Sequence, residues 1–160
     1  MSKILTILIL GLQIALTFVA TFCIYMIFAL FDCDFGIDGL FGLFIFQPII
    51  AIVISILTII LCLLIGLPIR LNNKINYWWT TNFYVSLIGI IVGLMLLFLA
   101  TLTIFRETVS VNIDGQEMPK QIPNTVLTYI GWLLTAFSIL HSFPPRQLSE
   151  RIRAVFSKDI

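Results

Sequence analysis

The sequence predicts an all-α membrane protein: a four-transmembrane-helix antiparallel bundle with a short extracytoplasmic β-hairpin and a C-terminal amphipathic cytoplasmic helix. Three observations carry that prediction. Hydrophobic residues make up 60% of the 160-residue chain and charged residues 11%, where soluble domains hold roughly half and a quarter. The apolar residues fall into four runs, about 4–31, 42–67, 81–105 and 125–143, each near or above the ~20 residues a helix needs to cross the hydrocarbon core. Charges are confined to the segments between the runs and at the ends. The runs are continuous rather than alternating, which excludes a β-barrel, so their backbone polar groups must pair within helices. The whole chain reads as a single membrane domain.

The first run, Ile4 to Phe31, follows Lys3 and is uninterrupted by charge. A secretory signal has an apolar region of only ~7–15 residues and a small-residue cleavage site. Here bulky Phe22 precedes Cys23, so the run reads as a retained helix, long enough to tilt. The outer loop 32–41 holds Asp32, Asp34 and Asp38 around Cys33. It lacks the closing glutamate of an EF-hand and reads as a solvated acidic turn. The second run carries Gln47-Pro48 near its start, where the proline frees a carbonyl and predicts a kink. The inner loop 68–80 is rich in Asn, and Tyr77, Trp78 and Trp79 stand where an interfacial aromatic belt belongs.

After the third run, the outer loop 106–124 contains a β-prone stretch from Thr108 to Ile113. Asp114-Gly115 follows, the pair favoured in type I′ turns, and Gln116 to Ile122 can return as a second strand, with Pro119 confining it to an edge. The fourth run ends at Pro144-Pro145. In the tail 144–160, Leu148, Ile152, Val155 and Phe156 recur at helical spacing among Arg151, Arg153 and Lys158, the pattern of an interfacial amphipathic helix.

Orientation follows from the basic residues. Lys3, Arg70, Lys74, Arg146, Arg151, Arg153 and Lys158 lie on one side, seven of the nine. Only Arg106 and Lys120 lie on the other. Both termini are therefore expected in the cytoplasm, with the chain in the plasma (bacterial inner) membrane.

Helices in lipid join through small residues and hydrogen bonds, and each span carries such a stripe. These are Thr6, Gln13, Thr17 and Ala20; Ala51, Ser55, Thr58 and Cys62; Ser86, Gly89, Gly93 and Ala100; and Thr128, Gly131, Thr135, Ser138 and Ser142. Gly89 and Gly93 form a G-x-x-x-G pair that suits packing within the bundle better than a subunit interface. Short connections favour antiparallel neighbours between the first and second spans and between the second and third.

No catalytic, cofactor or metal site is expected. The spans contain no Asp, Glu, Lys or Arg, whereas ion-coupled transporters keep an ionisable residue at depth. The three cysteines have no C-x-x-C or Cys/His spacing. His141 is the sole histidine and has no orienting carboxylate in the spans, so it reads as interfacial. Gln13 falls in the inner half and Gln47 at the outer edge, too far apart to pair.

The expected function is a non-enzymatic accessory or interaction subunit of a membrane assembly, such as a modulator or immunity-type protein. Asp114, Gly115, Arg151 and Arg153 are its candidate contacts. The expected partners are membrane lipid and a protein partner or second copy; a net charge of +1 argues against nucleic acid. The alternative is a homo-oligomeric channel lined by Gln13, Gln47, Ser55, Thr58, Ser138 and His141. The lesser alternative is a membrane enzyme acting on lipid or quinone.

Overall fold

The structure is a computed structural model and describes residues 3–31, 37–113 and 116–143. Helix α1 (Lys3–Phe31) is followed by α2 (Ile37–Phe41), a π-helical turn (Gly42–Phe46) and α3 (Gln47–Ile65). Then come α4 (Leu67–Leu71), α5 (Asn73–Thr81), α6 (Tyr84–Thr101), the strands β1 (Glu107–Ile113) and β2 (Gln116–Ile122), and α7 (Thr125–Leu140). Three helical stretches are long and apolar enough to cross a membrane: Ile7–Leu30, Gly39–Ile65 and Tyr84–Thr101. Helix α7 is apolar and 16 residues long. The acidic residues Asp32 and Asp34, Cys33, the turn residues Asp114 and Gly115, and the whole tail with Arg151 and Arg153 lie outside the described residues.

Several boundaries differ from those expected. The segment 37–41 is helical and runs through the π turn into α3, so the second span starts inside the expected outer loop. Pro48 explains the π turn. It has no N–H and its ring crowds the carbonyl four residues back; a wider turn relieves both, and the Gln47 N–H bonds the Gly42 carbonyl. The expected inner loop 68–80 is also helical, as α4 and α5. Asn72 is the reason: its side chain accepts from the backbone N–H of Lys74 at 3.0 Å and Ile75 at 3.5 Å. Asparagine here caps a helix rather than extending a loop. Helix α6 stops at Thr101, four residues early, and α7 at Leu140, three residues early.

The strands pair antiparallel, Glu107 opposite Ile122 through Ile113 opposite Gln116. With two residues between Ile113 and Gln116, that pair closes the hairpin as a hydrogen-bonded pair. Alternation then makes Ser110 and Pro119 a non-hydrogen-bonded pair. The missing N–H of Pro119 therefore faces outward and leaves the ladder between the strands intact.

Helix α7 is the centre of the bundle and packs against α1, α3 and α6, most extensively α6. The second and third spans are thus not the close neighbours that a short connection predicts. Helices α4 and α5 carry the chain aside, and α6 returns against α7. Glycines allow that approach: a Cβ on Gly93 would stand 2.9 Å from the Gly131 carbonyl oxygen, and one on Gly131 would stand 2.8 Å from that of Gly93. Ile59, Cys62, Ala136 and Leu140 form an apolar core between α3 and α7. The small and polar stripes turn inward, with Thr17, Ser55, Ser86 and Thr135 buried, while large apolar side chains such as Leu12, Phe44 and Ile91 face out. That arrangement reverses a soluble protein and suits a hydrocarbon surrounding.

Candidate functional site

The C-terminal end of α7 carries a dense polar cluster. A helix leaves its last four carbonyls without intrahelical partners. In a bundle interior such groups need donors, and here four other side chains form hydrogen bonds with the carbonyls of Leu140 and, just past the helix end, of His141 and Ser142, or with one another. Gln13 on α1 donates its amide to the Ser142 carbonyl at 2.9 Å. Arg70 on α4 donates through Nη2 to the Leu140 carbonyl and to Gln13 Oε1, both at 3.0 Å. Trp79 on α5 donates its indole N–H to the His141 carbonyl at 2.8 Å and contacts Ser86 Oγ at 3.1 Å. Ser86 on α6 donates to the same His141 carbonyl at 3.1 Å. The Arg70 guanidinium also lies over the Phe143 ring, and its charge complements the negative end of the α7 dipole. Burial draws its pKa down, but arginine remains charged at neutral pH.

His141 caps α7 and is fully buried among the helices. Its ring stacks on Phe137 at 4.3 Å, and Nδ1 lies 2.9 Å from the Phe137 carbonyl. With Nδ1–H donating to that carbonyl, Nε2 is the bare acceptor of a neutral ring, and it has no partner among the described residues. It faces Gly66, where an added Cβ would overlap the imidazole. The contact leaves no room for a substrate at Nε2, and Gly66 is the residue that lets the ring seat.

The opposite end of α7 anchors the hairpin. Asn124 caps the helix by accepting from the Leu127 N–H at 2.9 Å. Its own N–H bonds the Ala100 carbonyl at 3.0 Å, tying α7 to α6. The Glu107 carboxylate at the start of β1 accepts from Asn124 Nδ2 at 2.9 Å and Thr125 Oγ1 at 2.8 Å, placing a negative charge at the positive end of α7. No further strand pairs with β1 or β2 among the described residues, so both outer edges of the hairpin are unpaired there.

At this same end, a cavity of about 840 Å³ lies between α1, α3 and α7. Tyr25 donates its hydroxyl to Gln47 Oε1 at 2.8 Å on one wall. Deeper, the Trp132 indole donates to Thr58 Oγ1 at 3.0 Å.

Of the residues singled out in the sequence, Ser86, Gly93, Ala100, Gly131 and Thr135 are buried along the α6–α7 contact, and Gly89 faces Ser138 there. Gln13, Ser55, Thr58, Ser138 and His141 are buried inside the single chain. Gln13 and Gln47 sit at opposite ends, as their threading predicts, and each has its own partner. Sequence reasoning missed Arg70 and Trp79 as interior donors, reading one as an orientation charge and the other as a belt aromatic. It also missed Gly66, and chose Ala20 where Thr21 is the buried residue. The signal for Arg70 was Gln13, an amide at the matching depth with no partner on its own side. No protein-family model, curated protein or solved structure matches the chain.

Proposed function

We propose that the chain is a four-span protein of the plasma (bacterial inner) membrane with both termini cytoplasmic. It acts as a non-enzymatic accessory subunit that presents its anchored β-hairpin to a protein partner outside the cytoplasm. The fourth span is supported by the match between α6 and α7. Ser86 near the start of α6 bonds the His141 carbonyl past the end of α7, and Asn124 before α7 bonds the Ala100 carbonyl near the end of α6. The two helices therefore cover the same thickness, and α6 is long enough to cross. The orientation rests on the seven of nine basic residues on one side.

The observation that carries the interaction reading is the hairpin itself. A lone hairpin is marginal in water, yet this one is tied to the bundle by Glu107, and its two outer edges differ. On β2, Pro119 removes an outward N–H and blunts the edge. On β1, alternation turns the N–H groups of Thr108, Ser110 and Asn112 outward, unblocked. Strand addition is an established recognition mode for such an edge, so the partner is one that contributes an extended segment to β1. The inward orientation of Ser55, Thr58 and Ser138 supports this reading over a pore between copies, whose wall would be made of outward side chains. The hydrogen bonds of Gln13, Arg70 and Trp79 to α7 carbonyls favour a packing role for that cluster over a reactive one.

The test is purification at native expression level in a gentle detergent, comparing the native chain with Ser110→Pro and Ser110→Thr. A hetero-complex kept by Ser110→Thr and lost by Ser110→Pro supports the reading. A complex unaffected by Ser110→Pro rejects the β1 edge, and a homo-oligomer with nothing else bound rejects the accessory role in favour of the channel.

A further inference from the structure

The cavity at the hairpin end is long, with a mostly apolar lining and polar groups at one end. Along α3 its wall runs from Gln47 to Leu61, about 21 Å at the ~1.5 Å rise of a helix. Its volume is about 840 Å³. A space of that length suits an extended, flexible chain. Its total volume lies within the ~300–1,000 Å³ of ligand pockets. Room is made by residues that lack bulk, Ala29, Gly39 and Gly42, and Gly42 begins the π turn, a local geometry frequent at functional sites.

The lining decides the chemistry. Phe28, Leu43, Ile54, Leu61 and Leu133 make the walls apolar. Polar groups gather at the hairpin end, where Tyr25, Gln47, Thr125 and Thr128 stand. Deeper in, the Trp132–Thr58 bond satisfies the indole N–H. An apolar wall with polar groups at one end matches an amphiphile, so an apolar chain with a polar end is what such a space accepts. We propose that this cavity binds one alkyl chain of a membrane lipid, with the tail toward Leu61 and Leu133 and the polar end at Tyr25, Gln47 and Thr125. The inference rests on the membrane-spanning reading, since the bilayer is the source of the chain.

The test reconstitutes the full chain in vesicles with increasing amounts of a phosphatidylcholine bearing a diazirine on one acyl chain. Adducts are mapped after illumination. Labelling at Phe28, Ile54 and Leu133 saturates, while labelling at the outward residues Leu8, Leu12 and Leu16 rises in proportion to the probe. Gly42→Phe fills the cavity from a position where an added Cβ meets nothing within 4 Å, and it abolishes the saturable component. Gly11→Phe, equally open and on the outer face, leaves that component unchanged. Ala29→Phe serves if Gly42→Phe does not fold. Cavity labelling that never saturates, or that survives both filling variants, overturns the proposal. Labelled outward residues with unlabelled cavity residues also overturn it but leave the membrane reading intact. Absent labelling at Leu8, Leu12 and Leu16 overturns the membrane reading itself.

Discussion

Arg70 and Gln13 lie 57 positions apart in the chain, yet the guanidinium donates to the Gln13 side-chain oxygen at 3.0 Å. The Gln13 amide is in turn directed at the Ser142 carbonyl, so one short connection and one long apolar helix together close the end of α7. The pair links α1, α4 and α7, with Arg70 also donating to the Leu140 carbonyl. Hydrogen bonds to charged groups contribute about 1.5–3 kcal/mol each. Arg70→Met, which removes two of them and leaves a carbonyl and an amide oxygen bare, is expected to lower stability by about 3 kcal/mol. Arg70→Lys restores little, because an ammonium lacks the planar fork. The check is thermal unfolding in mild detergent, with the Arg70→Met/Gln13→Leu double variant losing less than the sum of the singles. Strict additivity would show that the two residues act independently.

Gly66→Ala is expected to destabilise by about 1–3 kcal/mol, the usual range for overpacking. The new methyl falls on the imidazole of His141, which cannot retreat easily because Phe137 stacks on it and its carbonyl holds Nδ1. The Gly66→Ala/His141→Ala pair recovers part of the loss relative to His141→Ala alone. A Gly66→Ala melting temperature equal to that of the native chain would contradict the contact.

Within the G-x-x-x-G pair the two glycines differ. A Cβ at Gly93 meets backbone atoms, the Thr135 nitrogen at 2.8 Å and the Gly131 oxygen at 2.9 Å. A Cβ at Gly89 meets the Ser138 side chain, which can rotate. Gly93→Leu is therefore the more damaging, Gly89→Leu the milder, and Gly11→Leu is neutral. Because both contacts are to α7 of the same chain, the oligomer size in detergent stays the same for variants that fold. A change of size with unaltered melting would move the motif to a subunit interface.

Glu107→Ala removes the acceptor for Asn124 and Thr125 at the start of α7. The bundle is expected to persist with a loss of about 1 kcal/mol, the scale of a helix-cap contact. Amide exchange in β1 and β2 speeds up well beyond that in α3 or α6. Equal protection of the strands in both proteins would show that the hairpin holds without this anchor.

Much of this fold is legible in the sequence because lipid simplifies the reading. Four apolar runs locate the long helices, and the small and polar residues along them, Ser55, Ser86, Gly93 and Thr135, mark the faces that meet. The strand limits are within one residue, since Asp114-Gly115 and the alternation from Thr108 fix a short hairpin. What could not be read is how helices are arranged in space. The connection from Ile65 to Tyr84 is short by length, but Asn72 and Pro68 make it two helices that lead α6 away from α3. Arg70 and Trp79 were misplaced for a related reason: residues at a membrane boundary can turn to headgroups or inward, and only the carbonyls left without intrahelical partners at the end of α7 decide which. A cavity is the sum of small residues on separate elements, such as Ala29 and Gly42, and has no signature in one run.

The most direct test of the interaction reading places a photoreactive amino acid at Ser110 and, separately, at Gln121, in cells at native expression. The account predicts one discrete heterologous adduct from Ser110 on the open β1 edge and little from Gln121 on the edge blunted by Pro119. No adduct from Ser110, equal adducts from both positions, or an adduct only with a second copy of the chain would contradict it.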